Sequence, residues 1–127
     1  MHRVQDLLIW QKAYALTLDV YRATDRFPSD ERLALTTQTR FTASTLPAYV
    51  LEYYRQPRAA STLNALSDAA DSLQKLSYYL ELAHDLGYLI KEHLELLLEQ
   101  IEGVLILLAE SQATLKPELG YAKTAAV

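Results

Sequence analysis

Residues 57–87 read PRAASTLNALSDAADSLQKLSYYLELAHDLG. Within them Leu63, Leu66, Ala70, Leu73, Leu76 (or Ser77), Leu80 and Ala83 recur at steps of three and four, the spacing of one face of an α-helix. Pro57 suits a first helical position, where its missing N–H would have no partner in any case. Gly87 supplies a left-handed stop, a conformation that costs glycine nothing. The stretch predicts a long amphipathic helix from Pro57 to about His84.

The flanking sequence repeats the pattern. Before this helix, Ser29 is a candidate N-cap, with Asp30 and Glu31 in the first turn where the helix dipole favours negative charge. A helix from Ser29 to about Arg55 then carries Leu33, Leu35, Phe41, Leu46, Val50 and Tyr54. Pro47 lies inside it. The flanks of Pro47 hold no Gly or Asn turn signal, so the sequence predicts one helix kinked at Pro47 rather than two. The first helix is expected from about Asp6, as N-cap, to Asp25, with Trp10, Ala13, Leu16 (or Thr17) and Val20 on one face. Phe27-Pro28 ends it, because the residue before a proline is pushed out of helical geometry. The last helix is expected from about Leu89 to Leu115, stopped by Pro117 and Gly120.

The chain has 127 residues, the size of one domain. It contains only 3 glycines and 4 prolines, and Asn64 is its one asparagine. Strand folds need many turns and turns need these residues, so composition excludes a sandwich or barrel. Helices of this length measure roughly 30–40 Å at 1.5 Å per residue, and short connections make consecutive ones antiparallel. The expected fold is all-α: an antiparallel up-down-up-down four-helix bundle, one domain over residues 1–127, with its core in 6–115 and a loose tail in 116–127.

Several function classes fall away. With no cysteine there is no disulfide framework, Cys-ligated zinc, iron–sulfur cluster or thiol catalysis. The longest run of Gly and apolar residues, Gly103 to Ala109, is far short of the about 20 residues that cross a bilayer. The N-terminal apolar run, Leu7 to Trp10, is too short for a signal peptide, so the expected location is the cytoplasm. Glu81 and His84 have the Glu-x-x-His spacing of di-iron bundles, but that chemistry needs a second such pair and two further carboxylates, and no second pair exists. Glu92, Glu95, Glu99 and Glu102, with His93 beside them, read as a solvated acidic helix face. No phosphate-binding Gly loop, nucleophile elbow or zinc-protease His pair occurs. The sequence thus predicts no catalytic, cofactor-binding or metal-binding residue, and a non-enzymatic protein.

Charge and aromatic content point to binding. The net charge is −4, yet residues 1–60 hold eight Lys/Arg against six Asp/Glu, and residues 61–127 hold four against ten. Such a split suits head-to-tail subunit contacts or a local basic face. The candidate basic residues for nucleic acid or a partner are Lys12, Arg22, Arg26, Arg32, Arg40, Arg55 and Arg58; the alternative is ordinary solvated or intersubunit-paired arginine. Tyr49, Tyr53, Tyr54, Tyr78 and Tyr79 are candidate interface residues, with core packing, a partner protein or base stacking as their possible uses.

The order of residues resembles the four-helix-bundle family of proteins encoded in intervening sequences of bacterial large-subunit (23S) ribosomal RNA genes. Asp6-Leu7, Trp10-Gln11-Lys12-Ala13, Val20-Tyr21 and Thr24 look like its first helix, and Phe27-Pro28 with Glu31 like its first turn. Leu35-Thr36, Gln38, Arg40, Ala43, Leu46-Pro47 and Glu52 look like its second helix. Leu82-Ala83 and Asp85-Leu86-Gly87-Tyr88-Leu89 look like its third turn. The likeness covers about residues 6–115. Where the family commonly has a Gly-rich basic stretch, this chain has Tyr53-Tyr54-Arg55-Gln56-Pro57-Arg58. Phe41 stands where a second arginine usually follows Arg40, and Tyr49 where an asparagine is usual. The resemblance implies a non-enzymatic homo-oligomer, typically a pentamer, without cofactor. A related set, the accessory proteins of diversity-generating retroelements, binds a reverse transcriptase and its structured RNA. The implied partners are therefore other copies of the chain, RNA or DNA, and a reverse transcriptase; the alternative is a protein-interaction scaffold that binds no nucleic acid.

Overall fold

In the computed structural model the backbone of residues 4–55 and 59–126 is described. Side chains are described throughout these residues except at Val4, Gln5, Tyr54, Ala59, Ala60 and 116–126. Four helices follow in order: α1 (Val4–Thr24), α2 (Leu35–Arg55), α3 (Ala59–Asp85) and α4 (Lys91–Ala126). A 3-10 turn, Ser29–Glu31, sits between α1 and α2. Each helix packs on the next and α1 also packs on α4, so the four enclose one core. The described residues contain no strand.

The core is the inner stripe of each helix. Ile9, Leu16 and Val20 of α1 meet Leu46 and Val50 of α2, Leu66, Leu73, Leu76 and Leu80 of α3, and Leu97, Ile101 and Leu108 of α4. Each such side chain contributes about 1.5–3 kcal/mol when fully buried. The spacing that located α3 thus reports its buried face. On α1 the buried face turns by one residue: Ile9 is in the core, and Trp10 lies half-buried at its edge.

The start of α2 differs from expectation. Ser29 does not open the helix; it begins a single 3-10 turn whose N-cap is Pro28 and which has no side-chain cap bond. No residue of this turn is buried, and Leu33 is 94% exposed. Helical phase locks onto the core only at Leu35, the first buried residue of the segment. Phe41 is likewise exposed rather than inward. The inner face of α2 is instead rich in threonine, with Thr36, Thr39 and Thr42 all buried.

Asp6 is also not an N-cap. It lies in the first turn of α1, buried, and accepts a hydrogen bond from the Tyr53 hydroxyl near the end of α2. Further along, the Thr17 hydroxyl lies 2.9 Å from the carbonyl of Ala43, and the Arg40 guanidinium lies 4.9 Å over the Tyr21 ring. Partner numbers rise along α1 as they fall along α2. At the far side, Gln100 of α4 donates to Asp19 of α1 at 3.0 Å. Phe27 meets Tyr88 at 5.7 Å between ring centroids, so the α1–α2 and α3–α4 connections lie together.

Pro47 stands inside one continuous helix, α2. A proline lacks the N–H that would bond the carbonyl four residues back, here that of the buried Ala43. Thr17 fills that position from α1, its one hydrogen shared between Ala43 O and its own Ala13 O, both at 2.9 Å. The neighbouring carbonyls also take hydroxyls: Ser44 donates to Phe41 O at 3.0 Å and Thr45 to Thr42 O at 2.8 Å. The freed backbone before the proline is therefore satisfied by side chains.

The α3 stop is a Schellman motif. Gly87 has φ +86°, its N–H donates to His84 O at 2.9 Å, and the Tyr88 N–H donates to Ala83 O at 2.9 Å. At the other end, α4 runs on to Ala126 through Pro117 and Gly120, where the sequence predicted a stop and a loose tail. A proline costs the helix one bond at its own position, and the adjoining Leu115, Lys116, Glu118 and Leu119 are good helix formers. Pro57, the expected start of α3, lies outside the described residues.

Two predictions follow from these backbone constraints. Thr17→Val keeps shape but leaves the Ala43 carbonyl unbonded, and is expected to destabilise by about 1–3 kcal/mol. Pro47→Ala restores the missing donor, so the same Thr17→Val change should cost markedly less in that background; chemical denaturation of the four proteins of this double-mutant cycle measures the coupling. Gly87 and Gly103 each have nothing within 4 Å of an added Cβ, so backbone conformation alone decides the outcome. Gly87→Ala should lower stability by about 1–2 kcal/mol, and Gly103→Ala, inside α4, should raise it by about 0.5–1 kcal/mol, both read from unfolding midpoints.

Candidate functional site

The candidate basic residues divide by position. Arg22, Arg26, Arg32 and Arg40 lie at one end of the bundle, around the α1–α2 connection, while Lys12 is midway along α1 and Arg55 ends α2. Lys12, Arg22, Arg26, Arg32 and Arg55 are exposed. Arg58 lies outside the described residues. Arg22 is paired with Asp19 one turn back at 3.0 Å, an exposed contact worth little.

Arg40 is the most tightly held of them. Its Nε donates to Thr24 Oγ1 at 2.7 Å, and its Nη2 donates to Tyr21 O at 3.2 Å and to Asp25 Oδ1 at 2.7 Å. Thr24 in turn donates to the Val20 carbonyl at 2.9 Å. Arg40 thus satisfies carbonyl and hydroxyl acceptors at the C-terminal end of α1, where a cation is favoured by the helix dipole. With 29% of its side chain exposed, it acts as a staple between α1 and α2 and still reaches the surface.

Beside this staple is a cleft of about 420 Å³. Arg32, Arg40, Asp25, Ser29, Thr24 and Thr36 line it, and Phe27 with Pro28 form its apolar wall. A shallower groove of about 370 Å³ between α3 and α4 is lined by Gln74, Glu102, Ile106 and Gln112. Tyr88, which packs on Phe27 at the same end of the bundle, has its phenol held above the ordinary value by desolvation and by the carboxylates of Glu31 and Asp30.

The candidate tyrosines are not gathered into one patch. Tyr49 and Tyr79 are half-buried against the core, and Tyr53 is half-buried with its hydroxyl on Asp6. Tyr78 is exposed and touches Tyr79 with ring centroids 5.5 Å apart. The Tyr54 side chain lies outside the described residues. The exposed apolar surface is instead on α1 and α2. Leu7, Tyr14, Leu18 and Tyr21 recur on the outer face of α1 at three-, four- and seven-residue steps, and Phe41 and Leu51 are exposed on α2. Tyr14 stacks on Trp10 at 5.3 Å, and the buried Trp10 indole nitrogen has no hydrogen-bond partner among the described residues. This outer stripe was legible as a second three–four repeat in the α1 sequence. Thr36 carried no signal for the cleft, and Ser29 was read as a helix cap rather than as part of its lining.

Of the Glu81–His84 pair, His84 is tied to the turn: its Nδ1–H donates to Leu89 O at 2.8 Å, since a carbonyl only accepts, while Glu81 is exposed on α3. Glu92, Glu95, Glu99 and Glu102 are exposed along α4. Among the described residues no group of three or more His, Asp or Glu side chains is placed to hold a metal ion, and no helix is long and apolar enough to cross a membrane.

Comparisons with known proteins agree with this architecture. A crystal structure of a protein of unknown function from the S23 ribosomal protein family of Bacteroides thetaiotaomicron VPI-5482 superposes with a TM-score of 0.80, covering 87% of this chain and 99% of that one. The two are 16% identical, so the likeness is one of fold. No curated protein matches the sequence. The model of the 23S rRNA-intervening sequence protein family matches residues 5–110, most of the helical bundle, and the chain belongs to that family.

Proposed function

We propose that this chain is a non-enzymatic, self-associating helical module, homopentameric, that binds nucleic acid as an accessory protein beside a reverse transcriptase. One observation carries the self-association, while the number of subunits, the nucleic acid and the reverse transcriptase come from the family resemblance: α1 has a second apolar stripe, Leu7, Tyr14, Leu18 and Tyr21, on the face away from its own core, with Phe41 (66% exposed) and Leu51 exposed on the adjoining helix. A helix with apolar residues on both faces calls for a partner on each, and another copy of the same chain is the partner always at hand. The acidic outer face of α4, Glu92 to Glu102, complements the arginines of the first half across such a contact. Assembly also multiplies the Arg26 and Arg32 side chains, which one subunit supplies too sparsely to hold a polyanion.

A second reading is a scaffold that assembles and recruits protein only. It is favoured by the pairing of Arg22 and Arg40 with Asp19 and Asp25, which lowers the positive charge each subunit can offer.

Light scattering after size exclusion tests the assembly. The expected mass is five times 14.4 kDa, and the double variant Leu18→Glu/Phe41→Glu should run as a smaller species with unchanged helical circular dichroism. An unchanged mass in that variant removes the α1–α2 face as the contact. Structured RNA should be retained by the parent oligomer at low salt and released at high salt. Retention of protein partners without RNA at any salt concentration supports the scaffold instead.

A further inference from the structure

We propose that the cleft at the α1–α2 connection is a phosphate-binding subsite. Its floor is Thr36, which is 7% exposed. Among the described residues the Thr36 hydroxyl has no hydrogen-bond partner, and it is not sealed from solvent, so it opens onto the cleft it lines. A hydroxyl in this position has only water or a ligand in the cleft to bond to.

The other donors converge on the same space. Arg40 is clamped through Nε and Nη2, and its Nη1 makes no bond to a described residue. This guanidinium is preorganised, so a ligand at Nη1 orders nothing further. Arg32 lines the opposite rim, exposed, with no ion pair to a described residue. Ser29 adds a hydroxyl. α2 begins at Leu35, and Gln38 is the first of its residues whose N–H reaches back to a carbonyl before the helix, Ala34 O at 3.0 Å. The amides before it, Thr36 among them, are the positive end of the helix dipole.

Charge and shape decide the class of ligand. Two guanidinium groups and a helix N-terminus face one carboxylate, Asp25, which is 76% exposed and engages only Nη2 of Arg40. Asp30 and Glu31 are not among the residues that line the cleft, and both act electrostatically on Tyr88. The surplus is positive and modest, suited to an anion of one or two charges. Donors that approach from the floor, the rim and the helix end match a tetrahedral oxyanion better than a planar carboxylate, which uses two oxygens in one plane. The inference rests on the nucleic-acid reading only for the source of that phosphate: a strand of RNA, or a small phosphate-bearing molecule.

The experiment titrates the full-length, ¹⁵N-labelled protein with inorganic phosphate at constant ionic strength, with chloride as control. The Thr36 amide and the Arg40 Nε–H should shift saturably with phosphate alone. Arg32→Gln, an exposed change, and Thr36→Val, an isosteric one, should each weaken phosphate roughly tenfold, while Arg22→Gln changes nothing. Shifts that follow chloride equally, or an Arg32→Gln variant that binds phosphate as the parent does, overturn the subsite. Single-stranded RNA with and without a 5′-phosphate then identifies the source by competition at the Arg40 resonance. Competition by both places a backbone phosphodiester in the cleft, and competition by the phosphorylated strand alone places a strand end there. If phosphate binds and neither RNA competes, the subsite stands for a small ligand and the nucleic-acid reading fails at this surface. If RNA is retained but phosphate never binds, the subsite falls and the nucleic-acid reading survives elsewhere on the protein.

Discussion

The register of α1 on α2 rests on one missing hydrogen. Pro47 cannot donate to the Ala43 carbonyl, and Ala43 is fully buried, so water cannot take its place. Only a donor from outside the helix can, and Thr17 of α1 supplies it. That bond fixes how far along α2 the first helix lies. The Asp6–Tyr53 contact at one end and the Arg40 contacts to Tyr21, Thr24 and Asp25 at the other then fall into place along the same seam. Hydrophobic packing alone would not choose this position. A buried carbonyl that needs a donor adds a directional constraint to the shape constraint of the packed stripes.

The same seam explains why the cleft exists. Arg40 reaches the end of α1 to bond the Tyr21 carbonyl, the Thr24 hydroxyl and the Asp25 carboxylate, and the cleft lies beside it, between the 3-10 turn and the first turn of α2. Because Phe27 is buried and packs on Tyr88, the connection is held against the α3–α4 turn rather than folded into that space. Leu33, exposed at 94%, cannot fill it. The opening is therefore a consequence of where the chain must go to anchor Phe27 and Leu35, with polar residues lining what is left.

How much of this was legible follows from what kind of signal each feature leaves. The long helices were readable because each buries one stripe, and a stripe repeats: Leu66, Leu73, Leu76 and Leu80 announce α3 many times over. Gly87 was readable because a left-handed residue has few other uses. The start of α2 was not, since Ser29-Asp30-Glu31 satisfies every local rule for a helix N-terminus and fails only on the absence of anything to bury before Leu35. The roles of Thr17 and Asp6 were hidden for a related reason. A single polar residue has no periodicity, and its meaning depends on a partner that the sequence places 26 residues away for Thr17 and 47 for Asp6. The outer stripe of α1 was visible in principle, yet one helix with two apolar faces is ambiguous until the bundle shows which face is inside. Arg58 and the Tyr54 side chain, both singled out from sequence, lie outside the described residues.

Electrostatics then sets the terms on which such a chain can meet a polyanion. The free energy of binding along a nucleic acid grows with the number of phosphates neutralised, and its salt dependence has a slope of about −0.9 per contact on duplex DNA and about −0.7 on single strands. Of the described cations in the first half, Arg22 and Arg40 already face carboxylates, which leaves Lys12 midway along α1, Arg26 and Arg32 at the α1–α2 connection and Arg55 at the far end of α2. A lone subunit can bring two or three of these to one strand, too few to hold it at physiological salt against the repulsion of an overall charge of −4. Repetition around a symmetry axis alters this without any change in sequence. In the pentamer proposed above, the acidic α4 faces would meet neighbouring subunits and the α1–α2 ends of every copy would form a ring of like charge. The exposed apolar stripe and the sparse arginines thus meet in one proposal: a second copy that covers the outer face of α1 is what would bring enough arginines to one polyanion.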